Sequence, residues 1–425
     1  LSVRGGSDRY TYYVAGNYSD VDGTLQNQNS KDGGVRANVD LRFGNSLNFQ
    51  YNGAYTRRVS SFVEDGNNAD GFLLNVGRGT NGNFKGGKGE DCANEDVLCV
   101  TNAYIFDSEN IARTNRYTNS GILNWEPIQN FNNKLSVGWD YLELESDEWI
   151  PFGYLRNEDG FYSSESNFRS KLSLEYAGSY RNNFGENFLS TISFGGQLFR
   201  DRARAKYVDT QGFAGPGKPL LTSGGAGTDI DDSILSVTTG GFFAEWILGF
   251  QDRLFLTLGG RGDGSSAFGD DFGTQFYPKA AVSWVVSDYD FWPTDWWDAM
   301  KVRTAYGESG KAPGVFDKIR TWNPVTGDGD TPGFTPGEIG NENVGPERTA
   351  EWEFGADASF FNGRLGVEGT YYSTTTTDAL VPVTYPPSQG FLASRAENVG
   401  EISGSGWELY LTGVLLQRSS VEWRA

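Results

Sequence analysis

The side chains that could do chemistry are unevenly supplied. Histidine is absent, and the only two cysteines are Cys92 and Cys99. Without an imidazole, a Ser–His or Cys–His nucleophile has no general base. The cysteines lie close together in a Gly/Asn-rich stretch, with no further Cys or His to complete a zinc set. The expected reading is a local disulfide in an oxidising compartment, with free thiols as the alternative. So short a ring would contribute ~2–3 kcal/mol, acting on its own loop more than on the fold. Carboxylates are plentiful, at 55 Asp plus Glu against 35 Lys plus Arg. No spacing among them marks a hydrolytic pair, so no catalytic residue and no enzymatic activity are expected.

The net charge of −20 lacks the basic patches that nucleic acid would need. "DGNNADG" and "GDGDTPG" hint at Ca²⁺, but neither ends in the liganding Glu of an EF-hand loop. Solvated turns are the expectation there, with no metal or other cofactor. Aromatic rings offer a different chemistry, stacking on sugar faces while amides and carboxylates bond hydroxyls. Aromatics make up 15% of the chain. Phe72, Phe213, Trp322 and Phe334 stand in the segments 60–75, 209–217 and 319–334, which read as external loops. They are the candidate ligand contacts, and packing of the loops on themselves is the plainer role for each.

What positions such loops is legible as alternation. In 350–360, Trp352, Phe354, Ala356, Ala358 and Phe360 interleave with Glu351, Glu353, Gly355, Asp357 and Ser359. The same period recurs at 10–18, 35–43, 47–55 and onward to 406. Mean hydropathy is only −0.49, and no apolar run approaches the ~18 residues of a membrane helix. A membrane β-barrel has this profile, because only every second residue meets lipid. Short and long connections take turns, as tight periplasmic turns and long external loops would. A soluble sandwich has no reason to place every long loop at one end. With no amphipathic helix to cover the apolar face, lipid is its expected partner, and the charged face lines a wet or plugged interior. Asn362-Gly363 predicts a type I′ turn. "SDYDFWPTDWWDAM" predicts a short periplasmic helix opened by Pro293, with Trp292, Trp296 and Trp297 at headgroup level, or else a buried aromatic plug.

Several stretches resemble one family. Arg261, Asp263, Gly264, Ser265, Ser266, Phe268 and Gly269 match the Arg-x-Asp-Gly-Ser-Ser-x-Phe-Gly loop of SusC/RagA-like TonB-dependent receptors. Tyr277-Pro278, the strand at Arg303, Tyr306 and Gly307, the hairpin at 340–380 and the segment 398–411 are similar in turn. Ala305 stands where the family has Ser, and Ser405 where Asn is usual. The resemblance implies an all-β fold: a transmembrane antiparallel barrel of about 22 strands, of which roughly 14–15 fall in this chain. Residues 1–425 would then be a partial barrel domain, with the N-terminal plug, first strand and last strands outside it. It also implies residence in the Gram-negative outer membrane, in contact with lipid. The implied activity is import of oligosaccharides or peptides, powered by TonB–ExbB–ExbD through the plug and assisted by a SusD-like surface lipoprotein. The alternatives are a TonB-dependent siderophore or vitamin receptor, and a secreted all-β carbohydrate-binding or adhesive protein.

Overall fold

A computed structural model of the chain describes residues 1–64, 71–78, 105–154, 157–217, 220–226, 229–293, 296–418 and 421–424. Cys92 and Cys99 lie outside the described residues. The fold is an antiparallel meander. Its principal strands are β1 (Ser2–Ser7), β2 (Tyr10–Asp22), β3 (Asn29–Phe43), β4 (Leu47–Phe62), β5 (Glu109–Trp125), β6 (Phe131–Ile150), β7 (Phe161–Phe184) and β8 (Phe188–Phe213). After the short β9 (Gly224–Ala226) come β10 (Ile230–Phe250), β11 (Leu254–Ser265), β12 (Gln275–Val285) and β13 (Trp297–Lys311). Two connections fold into small hairpins of their own: β14 (Trp322–Thr326) with β15 (Pro332–Pro336), and β18 (Leu380–Thr384) with β19 (Ser394–Asn398). The meander continues through β16 (Glu347–Phe360), β17 (Leu365–Thr377), β20 (Glu401–Arg418) and β21 (Val421–Arg424). The α-helix α1 (Phe72–Arg78) is seven residues long.

The chain divides into two compact units. The first holds Leu1–Leu123, Ser136–Ser173 and Arg200–Ser236; the second holds Asn124–Leu135, Leu174–Phe199 and Val237–Ala425. In the first unit β1 to β4 pair in sequence, with Gly33 facing both Tyr18 and Arg57. In the second, β10 to β13 pair in order, β13 pairs with β16, and β16, β17 and β20 follow. Several strands exceed what a membrane requires: β7 and β8 have 24 and 26 residues, against ~9–11 for a tilted span. Their distal ends run on into the long connections.

Register fixes two unlike faces. Opposed residues of an antiparallel pair share a face. Trp352 therefore lies beside Tyr306, and Phe354 beside Thr304 and Tyr371. These side chains are uncovered: Trp352 is 49% exposed, Phe354 52% and Trp407 81%. The aromatic contacts gather in two bands. Trp296, Trp297 and Phe360 stack at the tight-turn end. Tyr306–Trp352 and Tyr371–Trp407 meet at 4.7 and 4.9 Å toward the other end. In the first unit Tyr55, Tyr117, Tyr141 and Trp139 form a comparable row across β4, β5 and β6. Beyond Tyr306 and Trp352, the next residues on that face are Glu308 and Ala350, and Glu308 pairs with Arg348 at 2.5 Å. Charge thus returns where the apolar band stops, as it does at a membrane boundary.

The buried apolar side chains complete the picture. Among the described residues they are Ile105, Tyr154, Phe213, Ala267, Phe268, Tyr277, Ile339, Val344, Ala379 and Phe391. All lie in connections or at the distal ends of strands. The large hydrophobic side chains in the body of each sheet are at least partly exposed.

Two local expectations need correction. Asn362 and Gly363 do take positive φ, but so does Phe361 (58°, after 57° and 76° for the first two). The loop therefore spans four residues between the paired Phe360 and Leu365. The carboxylate of Asp298 accepts the N–H groups of Asn362 and Gly363 at 3.0 and 2.8 Å, and this anchor favours the wider turn. Pro293 opens no helix: a single 3₁₀ turn at Val286–Asp288 precedes it, and Trp297 already begins β13. Thr294 and Asp295 lie outside the described residues. Trp292 instead donates its indole N–H to the Trp297 carbonyl at 2.8 Å, so the tryptophans form a cluster at the tight-turn end.

Candidate functional site

The polar face carries cross-strand ion pairs. Lys301 and Arg303 of β13 reach Asp357 of β16 at 3.3 and 3.5 Å, and Arg303 also approaches Glu353 at 3.9 Å. Arg303 donates to the Thr370 hydroxyl at 2.7 Å. Gly355, which faces Arg303, leaves room for the guanidinium to lie flat, since a Cβ there would stand 2.7 Å from its Cζ. Lys279 pairs with Glu245 in the same manner. These groups are part-exposed, so each pair contributes only ~0–1 kcal/mol. Their consequence is a wet, charged wall opposite the apolar face. The acidic row at 351–357 was legible in the sequence, but its basic partners emerge only with the register.

In the second unit the distal connections are knitted together by the residues of the family-like motifs. Arg261 donates from Nε to both carboxylate oxygens of Asp263, at 2.7 and 2.6 Å. The N–H of Thr238 donates to the Ser266 hydroxyl at 3.0 Å. Phe268 is buried, and its carbonyl accepts from Lys318 at 3.0 Å. Gly269 donates to the Val344 carbonyl at 2.8 Å, and a Cβ at Gly269 would come within 2.3 Å of the Glu342 carbonyl. Only glycine permits that approach. Gly264 and Ser265 close the distal end of β11, paired with Gly240 and Thr239. Asn398 receives the Gly345 N–H at 2.7 Å and donates to the Gly345 and Asp378 carbonyls at 2.9 and 3.0 Å. Asn341 donates to the Ala396 carbonyl and to Glu397 at 2.9 and 3.2 Å. Asn341 and Asn398 were not among the candidate residues. Their signal was present, since each stands within a motif-like stretch with glycine nearby.

Glu397 is the best-held carboxylate of these connections. Burial pushes it upward, but hydrogen bonds from Tyr385 at 2.5 Å, Arg395 at 2.6 Å and Asn341 outweigh this and hold it below its ordinary range. The same bond to Glu397, with burial second, raises the Tyr385 phenol.

The four candidate aromatics fall into two groups. In the first unit Phe72 packs beside Phe106, on the small cluster of Ile105 and Tyr154. Phe213 is buried, and its N–H donates to the Asp159 carbonyl at 2.8 Å. Both rings pack their own connections. In the second unit Trp322 opposes Pro336, and Phe334 opposes Pro324, so the four share one face of the β14–β15 hairpin. Trp322 leans on Phe391, with ring centroids 5.6 Å apart, and Phe334 is 72% exposed. This is an open aromatic–proline platform. The adjoining "GDGDTPG" forms a turn closed by the Gly327 N–H to the Thr331 carbonyl, and no described group of three acidic or thiol side chains is arranged to hold a metal.

Comparison with known proteins places this geometry. The family described as TonB dependent receptor-like, beta-barrel matches residues 65–424. TonB-dependent receptor P26 of Formosa agariphila is 25% identical across the whole chain, which covers 44% of that protein. TonB-dependent receptor SusC of Bacteroides thetaiotaomicron is 24% identical over 68% of this chain and 29% of its own length. The chain thus spans less than half the length of these relatives. Among solved structures, the RagAB peptide importer in its closed-closed state superposes over 98% of this chain and 48% of its own, with TM-score 0.80 and 20% identity. The siderophore receptor PirA of Acinetobacter baumannii superposes less well, with TM-score 0.54 and 15% identity over 97% of this chain and 56% of that one.

Proposed function

Since the chain belongs to the TonB dependent receptor-like β-barrel family, we propose that the full protein imports an oligosaccharide or a peptide across the outer membrane. In this reading the ligand is gathered by the external connections, and TonB, energised through ExbB and ExbD, opens the path through a plug. A SusD-like lipoprotein covers the ligand from outside. Trp322 and Phe334 are the contacts best placed to stack on cargo, because their shared face is open while Phe72 and Phe213 are taken up in packing.

The observation that carries this reading is the two-faced sheet with no core of its own. Its apolar side chains are uncovered, and its charged side chains pair across strands. A secreted adhesive protein would hold that apolar face in water at a cost of ~25 cal/mol per Å². The likeness to a peptide importer, stronger than that to a siderophore receptor, supports this cargo over a siderophore. The test is uptake of labelled oligosaccharides and peptides by cells that carry the intact gene, lack it, or lack TonB. The reading expects loss of uptake in both deletions. Uptake that survives the loss of TonB would remove it.

A further inference from the structure

We propose that the polar face of β10, β11 and β12 carries a binding site for uncharged sugar units, made of two adjoining recesses divided by the Arg261–Asp263 pair. The proposal rests on the import reading and narrows its cargo to a neutral glycan. Phe243, Arg261 and Tyr277 lie side by side on three neighbouring strands. In the next row, Glu245 and Lys279 flank Gly259. Glu245 and Lys279 are ion-paired across that glycine. With Phe243, Arg261, Asp263 and Tyr277 they line a recess of about 410 Å³. On the other side of the pair, Gln197, Phe199, Thr239 and Phe268 frame a second recess of about 280 Å³. There Gly241 faces Asp263, and a Cβ at Gly241 would stand 1.9 Å from its Oδ1. The larger recess falls within the range of small-ligand pockets, roughly 300–1,000 Å³, and the smaller lies just below it.

The chemistry of the walls selects the ligand. Both recesses present aromatic rings beside fixed hydrogen-bonding groups, the combination that suits the apolar face and hydroxyl edge of a pyranose. The charges cancel locally: Arg261 with Asp263, Lys279 with Glu245, and Glu308, which also lines the larger recess, with Arg348. With the Gln197 amide turned so that its oxygen faces Arg261, that oxygen accepts from Nη2 at 2.6 Å and fixes the guanidinium further. A sulfated or uronic sugar, or a charged side chain, would find no spare counter-charge here and would lose hydration on entry. The bound carboxylates keep lone pairs that accept from hydroxyls. An extended peptide that bound by adding a strand would need a free sheet edge. β11 offers none, because it is paired along both sides.

The full-length receptor in detergent provides the test, by calorimetry against a panel of neutral glucan, xylan and mannan oligosaccharides with sulfated and uronic counterparts. At least one neutral oligosaccharide is expected to bind more tightly than its charged counterparts. Phe243→Ala should weaken it at least tenfold with the unfolding temperature unchanged. Glu245→Gln, which leaves a net positive charge, should shift preference several-fold toward the anionic sugars. A thiol at Lys279→Cys should react with a small maleimide and be protected by the bound sugar. Preference of the wild type for anionic sugars would overturn the proposal. So would binding that neither Phe243→Ala nor Glu245→Gln alters, which would place the site elsewhere and leave import intact. A thiol at 279 that is unreactive without sugar would show the recess filled by the receptor's own polypeptide, and would equally overturn it. Failure of import itself is read separately, from uptake in cells lacking TonB.

Discussion

At the residue scale, the connections of the second unit are held by a few side chains that each bond several backbone groups. Asn398 spans Gly345 and Asp378. Asn398→Ala leaves the buried Gly345 backbone groups unsatisfied, at ~1–3 kcal/mol, and should speed proteolysis within 339–345 and 378–398 while the sheet resists. Glu397 provides a pH signature. Its folded pKa lies below the ordinary 4.5, so its stabilising contribution is complete above 4.5 and fades as pH falls through the depressed value. Protection of the β18 and β19 amides, taken relative to the intrinsic exchange rate at each pH, should therefore be steady from neutral pH down to about 4.5 and fall below it. Glu397→Gln should abolish that dependence. The sequence disclosed Arg261, Asp263 and Gly269 as members of a recurrent pattern but not their use. The close approach of Gly269 to a distant carbonyl is a tertiary fact that no local spacing encodes.

At the element scale, alternation alone delivered the strands of the meander, because one row of side chains must be apolar and the other wet. It did not deliver the β14–β15 and β18–β19 hairpins. These are five-residue strands, three of the four containing proline, and their pairing is closed within the connection. Nor did it deliver the turn at 361–364, whose width depends on Asp298, sixty-odd positions earlier. The hairpin platform gives its own expectation. Trp322→Ala with Phe334→Ala should weaken cargo binding about tenfold, the loss of roughly 1.4 kcal/mol of stacking, while the unfolding temperature falls only slightly, because Phe334 is mostly in solvent and Trp322 half so. In the apolar band, Phe354→Arg should cost ~2–4 kcal/mol in bilayer refolding, as a charge near the lipid midplane does.

At the scale of the whole molecule, the buried apolar side chains sit in the distal connections and not within the sheet. This ordering reverses that of a water-soluble domain. Spin labels at Phe354 and Ala356 in the complete receptor should be relaxed by dissolved oxygen, and labels at Glu353 and Asp357 by a water-soluble nickel chelate. Equal wetting of both rows would be incompatible with a lipid-facing sheet. The fold class was legible because membrane strands must obey the period of two along their length. Ligand choice was not, because it resides in side chains brought together by register. The external hairpins bond within themselves; amides tether β18–β19, and β14–β15 leans on Phe391 through Trp322. They are consequently interchangeable parts: a cassette carrying 322–336 could be exchanged for one of different composition, and appetite retuned without rebuilding the wall beneath.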